Sequence, residues 1–260
     1  MGRFVNLLSF PEVFMFFILS GFTMLAMIPV FLAILPAVIL MVYVYRQDKI
    51  EPEPPALLMK LIGAGVLAGL LSMILEQIGT VFLDLGIPER SGSLYTILMA
   101  YLVVGVVEEG TKYGLMASIT WKNPAFNFRF DGIVYAVFTS LGFAAFENIL
   151  YGFRYGVGTL ATRAFLSIPG HMAFAVIFGI FYGHAKKNAD LSYYRPSKRI
   201  LARVQNIIGY ALAVLFHGTY DACLMAGTGI STLIFVLSVV LIYVVIFFVI
   251  RRESLSDQPV

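Results

Sequence analysis

The stretch V-V-E-E-G-T-K-Y-G, residues 106–114, sets Glu108, Glu109 and Lys112 inside an otherwise apolar run. On a helix Lys112 stands four residues from Glu108 and three from Glu109, so its ammonium reaches either carboxylate. It can neutralise one of them and leave the other for chemistry. Farther on, F-E-N-I-L-Y puts Glu147 and Tyr151 one turn apart, with Asn148 between, so the phenol can donate to the carboxylate. H-M-A-F-A supplies His171. H-G-T-Y-D spaces His217 and Asp221 so that the carboxylate can accept an imidazole N–H and fix the tautomer, or both can face a metal ion. Glu76 is a further lone carboxylate in an apolar run. Carboxylates and imidazoles in one pocket are the parts of a hydrolase that activates water. A glutamate acts as general base and then acid, and the imidazoles bind a metal or stabilise an oxyanion. For zinc, His171, His217 and Glu147 would make a two-His, one-Glu set with a fourth position for water.

The elements that must carry these groups follow from composition. The chain has 260 residues, 60% hydrophobic and 13% charged, with a mean hydropathy of +0.88, which predicts an all-α polytopic membrane protein and excludes an ordinary soluble domain. One cysteine, Cys223, rules out an intrachain disulfide and a cysteine-rich metal site. The charge pattern offers no nucleic-acid footprint. The start, M-G-R-F-V-N, lacks the n-region of a signal peptide and reads as retained. Segments of about 20 apolar residues predict seven spans, near 24–45, 57–80, 94–119, 132–153, 161–184, 205–226 and 230–250. An eighth arises if the residues before Gly21 cross on their own.

Basic residues orient the spans. Arg46, Lys49, Lys60, Lys122, Arg129, Lys186, Lys187, Arg195, Lys198, Arg199, Arg203, Arg251 and Arg252 fall on one side, against Arg3, Arg90, Arg154 and Arg163 on the other. The positive-inside rule therefore predicts an N-terminus outside and a cytoplasmic C-terminus. Pro52, Pro54 and Pro55 should end one helix and set the start of the next. The pairs Gly65/Gly69 and Gly179/Gly183 predict close helix contacts. At ~1.5 Å per residue, Glu147 and His217 lie roughly 21–24 Å from the cytoplasmic edge, and His171 lies roughly 12 Å below the outer edge. The predicted third to sixth spans can thus aim their polar groups at one site.

Charged groups at bilayer depth cost at least ~2.5–3.5 kcal/mol each on insertion scales, so they demand a reason. Besides hydrolysis, the same groups would suit a proton- or ion-coupled transporter or a non-catalytic scaffold locked by polar contacts. The transporter predicts paired broken spans in two halves, and the sequence shows no such pair.

Taken in order on four successive spans, E-E-x-x-K at Glu108–Lys112, F-E-N-x-x-Y at Phe146–Tyr151, H-x-x-x-A at His171–Ala175 and H-x-x-x-D at His217–Asp221 resemble the PrsW family of intramembrane proteases. R-Q-D-K-I-E-P-E-P after the first span is similar to that family's own connection. The resemblance, over residues 40–225 or so, implies a four-helix catalytic core near 94–226 within a single transmembrane domain, shared with the wider group that contains the CAAX prenyl endopeptidases. It further implies a plasma-membrane protease, metal-dependent or glutamate-based, that cuts a membrane-anchored regulator such as an anti-sigma factor. Carried over motif by motif, Glu108, Glu109, Glu147, His171 and His217 would be catalytic. Lys112, Asn148, Tyr151 and Asp221 would support them.

Overall fold

A computed structural model of the chain describes residues 10–87 and 92–260, with side chains from residue 27 onward. Arg3 and Arg90, two of the charges used for orientation, lie outside the described residues. The chain order is α1 (Phe10–Gln47), α2 (Pro55–Gly86), α3 (Ser93–Leu98), a π-helical stretch (Met99–Gly105), α4 (Val106–Thr120), α5 (Asp131–Tyr155), α6 (Val157–Phe165), α7 (Ser167–Leu191), α8 (Ser197–Ala226) and α9 (Gly229–Leu255). α3, the π-helical stretch and α4 run on as one rod. Seven helical segments among the described residues are long and apolar enough to cross a bilayer. Apolar side chains such as Phe31, Ile74, Phe82, Val244 and Phe248 face outward along them, as lipid contact requires.

Three details depart from the predicted spans. α1 is unbroken from Phe10 to Gln47, with Pro29 and Pro36 inside it, so the optional eighth span is not a separate helix. The fifth span is two helices, α6 and α7, which meet at Leu166. The connection between the predicted fifth and sixth spans, which carries Lys186 to Arg203, is mostly helix, because α7 continues to Leu191 and α8 begins at Ser197. The prolines act as expected: Pro54 is the N-cap of α2, and Pro55 stands at its first position, where no intrahelical N–H is lost.

α5 is the central post. Its residues from Asp131 to Ala144 are buried without interruption, and it packs against α1, α2 and α7, while α7 packs against α8. Glycine makes these approaches possible. A Cβ on Gly65 would lie 2.0 Å from the Thr139 carbonyl oxygen, and one on Gly183 would lie 2.1 Å from that of Arg129. Both glycine pairs singled out in the sequence therefore sit at helix contacts, α2 on α5 and α7 on α5.

At the end of α5 remote from Glu147, the α1–α2 connection folds in on itself, the Glu53 N–H donating to Asp48 Oδ2 at 3.2 Å. Burial pushes the Asp48 carboxyl up to about 6 and that of Glu53 up to about 7. The C-terminal residues close over the neighbouring α4–α5 loop. Arg129 N–H donates to Gln258 O at 3.0 Å, and Val260 N–H donates to Asn127 O at 2.9 Å.

Candidate active site

α4 brings both glutamates inward. Glu108, Glu109 and Lys112 are all buried, and Lys112 Nζ donates to Glu109 Oε1 at 2.6 Å, with Glu108 Oε2 at 3.5 Å. The ammonium also lies 3.5 Å from His171 Nδ1 and 4.4 Å from the centre of the Phe143 ring. One cation therefore gathers two carboxylates and an imidazole. The π-helical stretch just before α4 widens the turn there, a distortion common beside functional sites. α8 closes against this stretch through small residues. A Cβ on Gly218 would lie 2.4 Å from the Tyr101 ring, and one on Gly105 would lie 3.3 Å from Val214 O.

That contact delivers His217. Its Nδ1–H donates to Glu109 Oε1 at 2.8 Å, and its ring stacks on Phe174 with centroids 5.0 Å apart. With Nδ1 so committed, Nε2 points the other way, 3.3 Å from Asp221 Oδ2 and 3.8 Å from Glu108 Oε2. His171 comes from α7, where Ser140 Oγ of α5 donates to its carbonyl at 3.0 Å. Its Nε2 lies 3.2 Å from Glu147 Oε2, and the two imidazole rings are 5.4 Å apart.

Glu147 has a partner that sequence reasoning placed elsewhere. Arg163, counted only as an outer loop charge, reaches in from α6 and donates through Nη2 to Glu147 Oε2 at 2.6 Å and through Nε to Asn148 Oδ1 at 3.0 Å. Its guanidinium lies 3.8 Å over the Tyr151 ring. Tyr151 thus packs beneath Arg163, where a phenol-to-carboxylate bond was expected. Asn148 in turn donates to Ala33 O at 2.9 Å, which ties α5 to α1. The short α6, which breaks the predicted fifth span, is what allows an arginine to fold back onto the site.

A cavity of about 440 Å³ opens on these groups, lined among others by Glu76, Glu108, Glu147, His171, His217 and Asp221. Glu109 is not in its wall, being turned toward Lys112 and His217 Nδ1. A second cavity of about 520 Å³, between α2 and α5, shares Glu76, Glu108, Glu147 and Tyr151 with the first and is otherwise walled mostly by apolar residues such as Met73, Phe146 and Leu150, with Ser72 and Arg154 among them. Glu76, a lone carboxylate with no role assigned from its spacing, belongs to both.

The donor set fits a zinc ion in kind. Glu108, Glu109, His171 and His217 each bring a ligand-type atom within 4.8 Å of the others, and imidazole nitrogen and carboxylate oxygen are donors that zinc takes. Lys112 Nζ already stands among Glu109, Glu108 and His171 Nδ1, and an ammonium repels a second cation. The face left open to a metal is therefore the cavity side, where the Nε2 atoms, Glu108 and Glu147 lie. The group whose ligand atoms all lie within 4.8 Å of one another joins Glu108 and Glu109 to the two histidines, and Glu147, the carboxylate of the expected set, adjoins it through His171 Nε2.

Comparison with known proteins identifies a family for the chain. Residues 53–250 match the family described as PrsW family intramembrane metalloprotease. The chain is 31% identical to the protease PrsW of Geobacillus kaustophilus over 191 residues, 74% of this chain and 77% of that one. It is 29% identical to the protease PrsW of Oceanobacillus iheyensis over 221 residues, 85% of this chain and 94% of that one. With the protease PrsW of Bacillus subtilis it shares 28% identity over 194 residues, 74% of this chain and 81% of that one. No solved structure matches. A multi-pass helical protein with a buried Glu-Glu-His-His cluster and these relatives belongs to the PrsW family of intramembrane metalloproteases.

Proposed function

We propose that the chain hydrolyses a peptide bond in a membrane-anchored protein, an anti-sigma factor being a substrate of that kind, with Glu108 as the group that activates water. One observation carries this reading: Glu108 shares a single cavity with both histidines and Glu147, while Glu109 is spent on Lys112 and His217. Glu108 would take the proton of water as it attacks and return it to the departing amine. Glu109 would orient His217 by accepting its Nδ1–H, leaving Nε2 for the reacting side. Zinc, held by His171, His217 and a carboxylate of the same cavity such as Glu147, would supply Lewis-acid polarisation of the scissile carbonyl. Arg163 and Asn148 position Glu147, Tyr151 holds Arg163, and Asp221 borders His217.

The apolar cleft between α2 and α5 would admit the substrate from the lipid, since it leads from the outer wall of the bundle to Glu108 and Glu147. The backbone of an intact helix hides its peptide bonds, so the substrate must unwind there. On this reading the whole chain is one transmembrane domain with its catalytic core near 94–226, and the loop charges orient it in the plasma membrane with the C-terminus cytoplasmic. A membrane-proteome comparison of wild type with Glu108→Gln tests it. A single-span protein should accumulate uncut in the variant, and identical proteomes would count against peptidase activity.

A further inference from the structure

The catalytic site makes no use of the carboxylates of the motif D-K-I-E-P-E-P, residues 48–54. The motif's first and sixth residues, Asp48 and Glu53, meet Asp131 at the start of α5. The three carboxylates are 5%, 2% and 1% exposed, and their oxygens come within 4.8 Å of one another. Some of their capacity is used: Asp48 Oδ2 accepts from Glu53 N, and Asp131 Oδ2 accepts from Asn127 N at 3.0 Å and Phe128 N at 2.7 Å. The remainder is not. Glu53 Oε2 and Asp131 Oδ1 are buried without a hydrogen-bond partner. Tyr135, one turn after Asp131 and 0% exposed, turns its hydroxyl toward Glu53, and that oxygen too is buried without a well-formed hydrogen bond. Among the described residues, no lysine or arginine forms an ion pair with any of the three carboxylates.

Buried carboxylates of one sign, packed this closely, require either a counter-ion or shared protons. We propose that Asp48, Glu53 and Asp131 form a structural site for a hard divalent cation of the magnesium or calcium class, separate from the intramembrane cluster. All donors are oxygens, the combination that such ions select and that suits zinc poorly when no nitrogen or sulfur joins them. Glu53 Oε2 and Asp131 Oδ1 are buried oxygens left without a well-formed hydrogen bond, and Tyr135 O is a further oxygen at hand. The ion would clamp the α1–α2 connection to the first turn of α5. α5 carries Glu147 and Asn148 at its other end, so the clamp would fix the register of the central post against α1 and α2.

The test uses the full chain, purified in detergent and stripped with chelator, with Mn²⁺ and Ca²⁺ as probes at constant ionic strength. Titration with Mn²⁺, read by electron paramagnetic resonance, should show a site that Glu53→Gln and Asp131→Asn weaken at least tenfold and that His217→Ala leaves unchanged. Ca²⁺ at a hundredfold excess over its Kd should raise the wild-type melting temperature by about 5–10 °C. Should either variant fail to fold, the wild-type melt and the His217→Ala titration decide alone. A wild-type melt indifferent to both cations means that shared protons satisfy the cluster, and it overturns the proposal. So does Mn²⁺ binding that Glu53→Gln leaves undiminished when His217→Ala is present in both proteins compared, or binding that disappears with His217→Ala.

Discussion

Lys112→Met keeps the length and most of the packing of the side chain while deleting its charge. In the native site the ammonium is 2.6 Å from Glu109, 3.5 Å from Glu108 and 3.5 Å from His171, and both glutamates are nearly inaccessible, at 5% and 6% exposure. Removing one partner of a buried ion pair costs about 3–5 kcal/mol, because the charge left behind has already lost its water. Glu109 keeps its bond from His217, so the loss should fall near the lower end, about 3 kcal/mol. The second perturbation discriminates. Glu109→Gln added to Lys112→Met removes the stranded charge and should return at least ~1.5 kcal/mol, within the range of coupling between contacting residues. Reversible unfolding of the purified variants in mixed micelles measures both steps, and cleavage of a co-expressed tagged single-span substrate should be lost in both. A Lys112→Met protein within ~0.5 kcal/mol of wild type, the behaviour of an unconstrained surface position, would refute the claim that the ammonium holds the cluster together. A double variant weaker than the single one would refute it equally.

Other changes probe the frame around the site. Gly65→Ala puts a methyl group on the Thr139 carbonyl and should cost at least about 1–3 kcal/mol by overpacking, whereas Gly63→Ala, with nothing within 4 Å of the added carbon, should not; the same unfolding assay compares them. Arg163→Gln should lower kcat about 10–100-fold with little change in KM, and Arg163→Lys should recover part of it, as cleavage kinetics will show. The carboxyls of Asp48 and Glu53, raised to about 6 and about 7 by burial, bind protons more tightly folded than unfolded. In chelator the protein should therefore lose stability as pH rises from the ordinary carboxylate range through about 7. Glu53→Gln should flatten that slope in melts recorded across pH.

Much of this site was legible because membrane burial makes a polar residue conspicuous. Glu108, Glu109, Lys112, Glu147, His171 and His217 each interrupt an apolar run, and helical period alone paired Lys112 with the glutamates and His217 with Asp221. What period cannot give is which carboxylate faces the cavity, because Glu108 and Glu109 are adjacent and the choice depends on the rotation of α4 after the π-helical stretch. Arg163 escaped for a different reason. Sitting near the end of an apolar run it looked like an ordinary loop charge, and only the break at Leu166 shows that α6 folds it back onto Glu147. The Asp48–Glu53–Asp131 cluster was equally hidden, since Asp131 is remote in sequence and meets the first connection only because α5 starts beside it.

The central claim is that Glu108, in the cavity shared with both histidines, performs the hydrolysis. Its most direct test reconstitutes the purified protein in liposomes with a tagged single-span substrate and follows the cleaved fragment for wild type and Glu108→Gln. Wild type should release the fragment, and Glu108→Gln should release none while unfolding at the wild-type denaturant concentration. Undiminished release by Glu108→Gln would contradict the account.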